Sequence, residues 1–92
     1  MIRNFRCGET EKLFNDQSSK KFRAIERVAR RKLEMLEAAD RLEDLRNPPG
    51  NRLELLSGNR SGQYSLLINN QFRICFRRVE GAAEDVEIVD YH

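Results

Sequence analysis

The chain changes its hydrophobic period at Asn47-Pro48-Pro49-Gly50. Proline has no backbone N–H to donate, and the residue before it avoids the helical region, so no helix runs through this segment. The halves on either side must therefore fold as different layers. Before the prolines, Phe22, Ile25, Ala29, Leu33 and Leu36 step by 3, 4, 4 and 3. That is the repeat of one helix face, and Val28 and Met35 widen it. The spacing predicts a helix from residue 20 to about 39, with Ser18 or Ser19 as its cap. Residues 10–15 read as a shorter helix with Leu13 and Phe14 as its apolar pair, and residues 2–5 as a short strand. Ala38-Ala39-Asp40 reads as a bend into a short helix carrying Leu42 and Leu45.

After the prolines the pattern alternates. Residues 52–56 are a strand candidate, 57–62 a turn cluster and 63–68 a second strand. Asn69-Asn70 is a tight-turn pair, because Asn tolerates positive φ. The third strand, 71–79, puts Phe72, Ile74 and Phe76 on one face and Arg73, Cys75 and Arg77 on the other. Residues 80–84 turn. The last strand, 85–91, sets Val86 and Ile88 opposite Glu87 and Val89. The expected fold is α+β: an N-terminal strand and helices packed on one face of a curved, mostly antiparallel sheet. Ninety-two residues hold one such core, so a single domain over 1–92 is expected.

Charge sharpens the picture. Seventeen basic and fifteen acidic side chains leave a net charge of +2, but they are segregated along the chain. Lys20, Lys21, Arg23, Arg27, Arg30, Arg31 and Lys32 face one acid, Glu26, and Glu34, Glu37, Asp40, Glu43 and Asp44 follow. A second basic group, Arg52, Arg60, Arg73, Arg77 and Arg78, precedes Glu80, Glu84, Asp85, Glu87 and Asp90. Clustered arginine on a small domain suggests a polyanion such as nucleic acid. For the run over 20–32, an ordinary solvated helix face is the competing reading.

Several classes are disfavoured. No apolar run is long enough to span a membrane, and the opening residues lack the apolar stretch of a signal peptide, so a cytoplasmic protein without membrane partners is expected. Cys7 and Cys75 have no spacing for a zinc finger or a disulfide scaffold. No phosphate-loop or dinucleotide glycine pattern is present, and Gly58 and Gly62 flank a turn. Neither a metal nor a cofactor is expected.

The remaining chemistry lies at Asp90-Tyr91-His92, at the end of the last predicted strand and on a sheet bearing Arg73. A frayed end is the plain alternative. Histidine exchanges a proton near neutral pH, tyrosine can hydrogen-bond or stack on a base, and the arginine fork matches a phosphate. Together these are parts for metal-free RNA cleavage. Tyr64, beside the basic turn, is open between edge-strand packing and substrate contact.

The chain resembles the HigB-type toxins of the RelE/ParE superfamily of type II toxin–antitoxin systems. The resemblance rests on Ile2-Arg3-Asn4-Phe5, on the segment from Asn47 to Leu53, on Leu56-Ser57-Gly58-Asn59-Arg60-Ser61-Gly62-Gln63-Tyr64-Ser65, on Asn69-Asn70-Gln71-Phe72-Arg73-Ile74-Cys75-Phe76, and on the ending Val86-Glu87-Ile88-Val89-Asp90-Tyr91-His92. It implies a ribosome-dependent endoribonuclease that cuts mRNA in the A site without metal and so inhibits translation. It also implies a HigA-type helix-turn-helix antitoxin, with promoter DNA bound only through the toxin–antitoxin complex. By position, Arg73 would grip the scissile phosphate, His92 would act as general acid or base, and Asp90 and Tyr91 would orient His92 or the substrate. Arg60, Arg77, Tyr64, Lys20, Lys21, Arg23, Arg27, Arg30 and Arg31 would meet RNA or ribosome. Active members carry a His and a Lys where Glu54 and Ser57 stand here, which implies a slower enzyme. A DNA gyrase inhibitor of the ParE kind and a non-catalytic RNA- or partner-binding module are the alternative functions.

Overall fold

The computed structural model describes residues 1–91 and lays the helical half against one face of the sheet. Two α-helices form, α1 (Gly8–Phe14) and α2 (Glu26–Ala38). The stripe read from the sequence is the buried one. Phe22, Ile25, Ala29, Leu33 and Leu36 all enter the core, with Leu13 and Leu45 beside them. The first turn of the predicted long helix is not α-helical: Arg23–Ile25 is a 3-10 turn, and α2 begins at Glu26. Ser19 does not cap it. Its buried hydroxyl donates to the Glu9 carboxylate at 2.8 Å, so the segment starts without a side-chain acceptor for its first N–H groups. After the bend, Leu42–Arg46 forms a second 3-10 turn that buries Leu45.

Four strands follow, β1 (Glu54–Leu55), β2 (Gln63–Leu67), β3 (Phe72–Val79) and β4 (Ala82–Asp90). They pair antiparallel in the order β1-β2-β3-β4. Ile74, Phe76, Leu66 and Val86 are fully buried against the helices. Phe72 meets Phe22 edge-on, with ring centroids 5.9 Å apart. Thr10 on α1 accepts the Ile88 N–H at 3.0 Å and stitches the two layers together.

Three expectations need correction. The N-terminal strand is reduced to two parallel bridges, Ile2 to Ala83 and Phe5 to Val86. The cause is a bulge in β4. Cys75 pairs with Glu87 and Arg77 with Glu84, so Asp85 and Val86 together oppose Phe76. Asp85 sits at φ 54° with its N–H on the Asn4 side chain, which interrupts any continuous ladder to the N-terminus. The first predicted strand shortens to two residues because Arg52 is left-handed, at φ 44° and ψ 58°. The turn expected over 80–84 contracts to Glu80-Gly81. Both have positive φ (50° and 80°), the geometry of a two-residue hairpin that suits glycine at its second position.

Asn51 holds the chain just before β1. Wholly buried, it donates to the carbonyls of Leu45 (3.2 Å) and Asn47 (3.4 Å) and accepts from the Lys32 ammonium at 2.8 Å. Burial, with Arg31 beside it, pushes the Lys32 pKa below the ordinary lysine value. Among the described residues no helix is long and apolar enough to cross a membrane.

Candidate active site

Alternation along β3 turns Arg73, Cys75 and Arg77 away from the helices. The register then assembles their neighbours. Glu54 on β1 lies beside Ser65 on β2, Ser65 beside Cys75 on β3, and Cys75 beside Glu87 on β4. This row of four crosses the whole open face of the sheet.

Arg73 leans back over the row. Its Nη1 donates to Ser65 Oγ at 2.9 Å and its Nη2 to Glu54 Oε1 at 3.4 Å. The Tyr91 ring lies 5.3 Å from its guanidinium carbon, within cation–π range. Only 13% of the Arg73 side chain is exposed, against 50% for Glu54. The guanidinium is thus fixed from three sides, and its remaining N–H groups can meet phosphate oxygens two at a time.

A second arginine frames the far end of the row. Arg60 belongs to the 3-10 turn Gly58–Arg60, where Gly58 at φ 66° and Gly62 at φ 88° bend the chain. Its Nη1 donates to Gln63 Oε1 at 3.0 Å and to Glu87 Oε2 at 3.3 Å. Arg6 reaches the same carboxylate at 3.8 Å. Arg77 lies 3.6 Å from Asp85, at the bulge. Cys75 is buried beneath these groups. Burial pushes its thiol pKa up, which disfavours the reactive thiolate.

The structure therefore gathers Arg73 and Tyr91, with Asp90 one residue away. Asp90 ends β4 opposite Phe72, and its carboxylate accepts from the Gln71 amide at 3.0 Å. His92, expected to move a proton, lies outside the described residues. A cavity of about 410 Å³ at the edge of β4 is lined by Lys21, Phe22, Phe72, Glu87, Ile88, Val89 and Asp90, and Arg73 is not among its walls.

Two expected contacts are placed elsewhere. Tyr64 alternates with Gln63 and Ser65 and points to the helix side, where it stacks on Phe76 at 6.0 Å and 26°. In this fold it packs within the sheet, between Leu55 of β1 and Phe76 of β3. Arg30 turns inward, giving its Nε to the Leu13 carbonyl at 2.9 Å and its Nη2 to the Gln17 carbonyl and the Glu26 carboxylate. It clamps α1 to α2. Lys20, Lys21, Arg23, Arg27 and Arg31 are exposed, and among the described residues they make no ion pair.

Ser65, Gln63 and Glu87 were not singled out from the sequence. Their signal was available as the alternation of Gln63 and Ser65 with Tyr64 and Leu66, which puts two polar groups on the Arg73 side of β2. Glu54 appeared only as a departure from a family pattern, and here it is the carboxylate against Arg73. Ser57 is exposed and precedes the Gly58–Arg60 turn. No three His, Cys, Asp or Glu side chains converge among the described residues, so no metal ligands are assigned.

Comparison with known proteins agrees with this fold. The family model of HigB-like toxins, described as RelE-like toxins of type II toxin–antitoxin systems, matches residues 3–92. Toxin HigB-1 of Vibrio cholerae serotype O1 is 50% identical over 60 residues, which are 65% of this chain and 63% of that protein. An uncharacterized protein of Haemophilus influenzae is 38% identical over 64 residues, 70% of this chain and 63% of its own. The match therefore spans a little under two thirds of either relative's length. Among solved structures, the YoeB-YefM complex from Staphylococcus aureus shares the fold, with TM-score 0.63 and 20% identity over all of this chain and 98% of that one. A heterotetrameric YoeB-YefM complex from the same organism gives a TM-score of 0.62.

Proposed function

Because the chain belongs to the HigB-like family of RelE-like type II toxins, we propose that it is a ribosome-dependent mRNA endoribonuclease that needs no metal. The observation carrying this reading is the Arg73 guanidinium on the open sheet face, braced by Ser65, Glu54 and Tyr91. A scissile phosphate docked on that fork would lie beside the Glu54 carboxylate, the nearest described proton acceptor. In the step proposed, Glu54 takes the proton of the 2′-hydroxyl and the 2′ oxygen bonds to phosphorus. Arg73 carries the charge that builds on the phosphoryl oxygens. The bond to the departing 5′ oxygen breaks, and His92 supplies its proton. The products are a 2′,3′-cyclic phosphate and a 5′-hydroxyl.

Docking and control follow from the rest of the surface. The exposed cations Lys20, Lys21, Arg23, Arg27 and Arg31 would meet ribosomal RNA, and Arg60 and Arg77 would flank the message. The complexes formed by the structural neighbours support an antitoxin partner for this chain. The proposed partner is a HigA-type helix-turn-helix protein, with promoter DNA bound through the complex and the toxin acting in the cytoplasm, a reading the family membership supports.

The test is primer extension on a defined mRNA with purified ribosomes in magnesium-matched buffers. Cleavage at A-site codons that requires ribosomes, and that falls with Arg73→Ala, Glu54→Gln and His92→Gln, is expected. Intact mRNA in the presence of a folded, growth-inhibiting protein would sink the reading and point to gyrase.

A further inference from the structure

We propose that Ser65 is the positioning residue of Arg73, the buried hydroxyl that aims its guanidinium. The proposal rests on the reading of Arg73 as the phosphate ligand. Among the described residues six polar or charged ones are buried, namely Thr10, Ser19, Lys32, Asn51, Gln63 and Ser65. Four of them serve the fold: Thr10 caps a β4 backbone group, Ser19 meets Glu9, and Lys32 and Asn51 meet each other. The other two lie on β2 and each takes an arginine of the open face, Gln63 with Arg60 and Ser65 with Arg73. A wholly buried hydroxyl is unfavourable without a partner, and a guanidinium held at 2.9 Å supplies one.

Three groups brace Arg73, and they differ in rigidity. Glu54 stands on a two-residue edge strand and is half exposed. Tyr91 lies beyond the end of β4, and 44% of it is exposed. Ser65 is wholly buried on a strand paired on both sides, with Glu54 and Cys75 as its register partners. When a phosphate displaces the Glu54 contact, or Glu54 takes up a proton, the Ser65 bond still fixes the fork. Productive geometry is sensitive to shifts of about 1 Å, and this contact guards against them.

The experiment compares single-turnover, ribosome-dependent cleavage by the full-length protein with that of Ser65→Ala and of the nearly isosteric Ser65→Cys, each checked by thermal melting. Expected is a fall in kcat of about 10- to 100-fold for both, with KM for programmed ribosomes and the melting temperature unchanged. Ser65→Thr, which restores a hydroxyl, should recover most of the rate. In an Arg73→Lys background, where the fork is gone, Ser65→Ala should cost little more. Full kcat in folded Ser65→Ala, an additive loss in the Arg73→Lys background, or failure of both Ala and Cys variants to fold would each overturn the proposal. Undiminished cleavage by Arg73→Ala would instead overturn the reading of Arg73 itself.

Discussion

On the open face of the sheet the described arginines have carboxylates beside them: Arg73 with Glu54, Arg60 with Glu87 and Arg77 with Asp85. Along α2 and the turn before it, Lys20, Lys21, Arg23, Arg27 and Arg31 stand in solvent without such partners among the described residues. The difference separates two uses of one side chain. A paired, half-covered arginine has lost its rotamer freedom before a ligand arrives, so it can present a fixed geometry to one phosphate. An exposed, unpaired cation fixes nothing. It attracts a polyanion through long-range charge and counterion release, and its contribution falls with salt. On the proposed reading, the sheet would do chemistry at a point and the helix would dock over an area.

The largest effect that tests this contrast is at Arg73. Arg73→Ala should lower ribosome-dependent cleavage by about 10²- to 10³-fold while the protein stays folded, its melting temperature falling only by what the unpartnered Ser65 hydroxyl costs. A normal melting curve with normal cleavage would erase the distinction. The helix cations should behave in the opposite way. Arg23, Arg27 and Arg31 replaced together by Ala should weaken ribosome binding and flatten its logarithmic salt dependence by about 2, at ~0.7 per phosphate contact. Cleavage at saturating ribosomes should stay close to that of the unmodified protein. A fall in saturated rate with an unchanged salt slope would move these residues into the chemistry.

Arg30 and Lys32 sharpen the contrast, because both sit in the basic run and neither faces solvent as its neighbours do. Arg30→Ala removes the charged hydrogen bonds to the Leu13 and Gln17 carbonyls and should cost about 1–3 kcal/mol of stability in denaturant titration, with no change in salt slope. The smallest effect is the alkaline one from Lys32. Its folded pKa lies below 10.5, so the unfolded chain holds the proton to higher pH. This contribution to stability is complete above pH 10.5 and is lost as pH falls through the lowered folded value. Stability of the protein relative to Lys32→Met should therefore rise between those limits. A flat difference would mean that the ammonium is solvated.

Glu9 shows the same logic on the acid side. Its ion pair with Lys12, then the Ser19 hydroxyl, holds the carboxyl below the ordinary glutamate value. The stability it contributes is present above that ordinary value and fades as pH falls through the lowered one. Ser19→Ala should shift the start of acid unfolding upward in a circular-dichroism titration.

The amino-acid sequence by itself determined the two layers and their inner faces. The 3-4-4-3 spacing of Phe22, Ile25, Ala29, Leu33 and Leu36 and the alternation of Phe72, Ile74 and Phe76 are local properties, set by where successive side chains point on a helix or strand. They therefore survived into the core, with Phe72 partly buried at its edge. Arg73 was legible for the same reason, since any residue between two core positions of a strand must face outward. What the tertiary structure decided were the meetings. Glu54 and Arg73 are nineteen positions apart in the chain and touch only because β1, β2 and β3 pair in one register. Arg30 left the basic face because α1 packs beside α2 and offers it the Leu13 carbonyl. The N-terminal strand dissolved into two bridges because one extra residue bulges from β4. Periodicity says which way a side chain points, but pairing register, bulges and helix packing choose its partner, and they are settled only when distant segments meet.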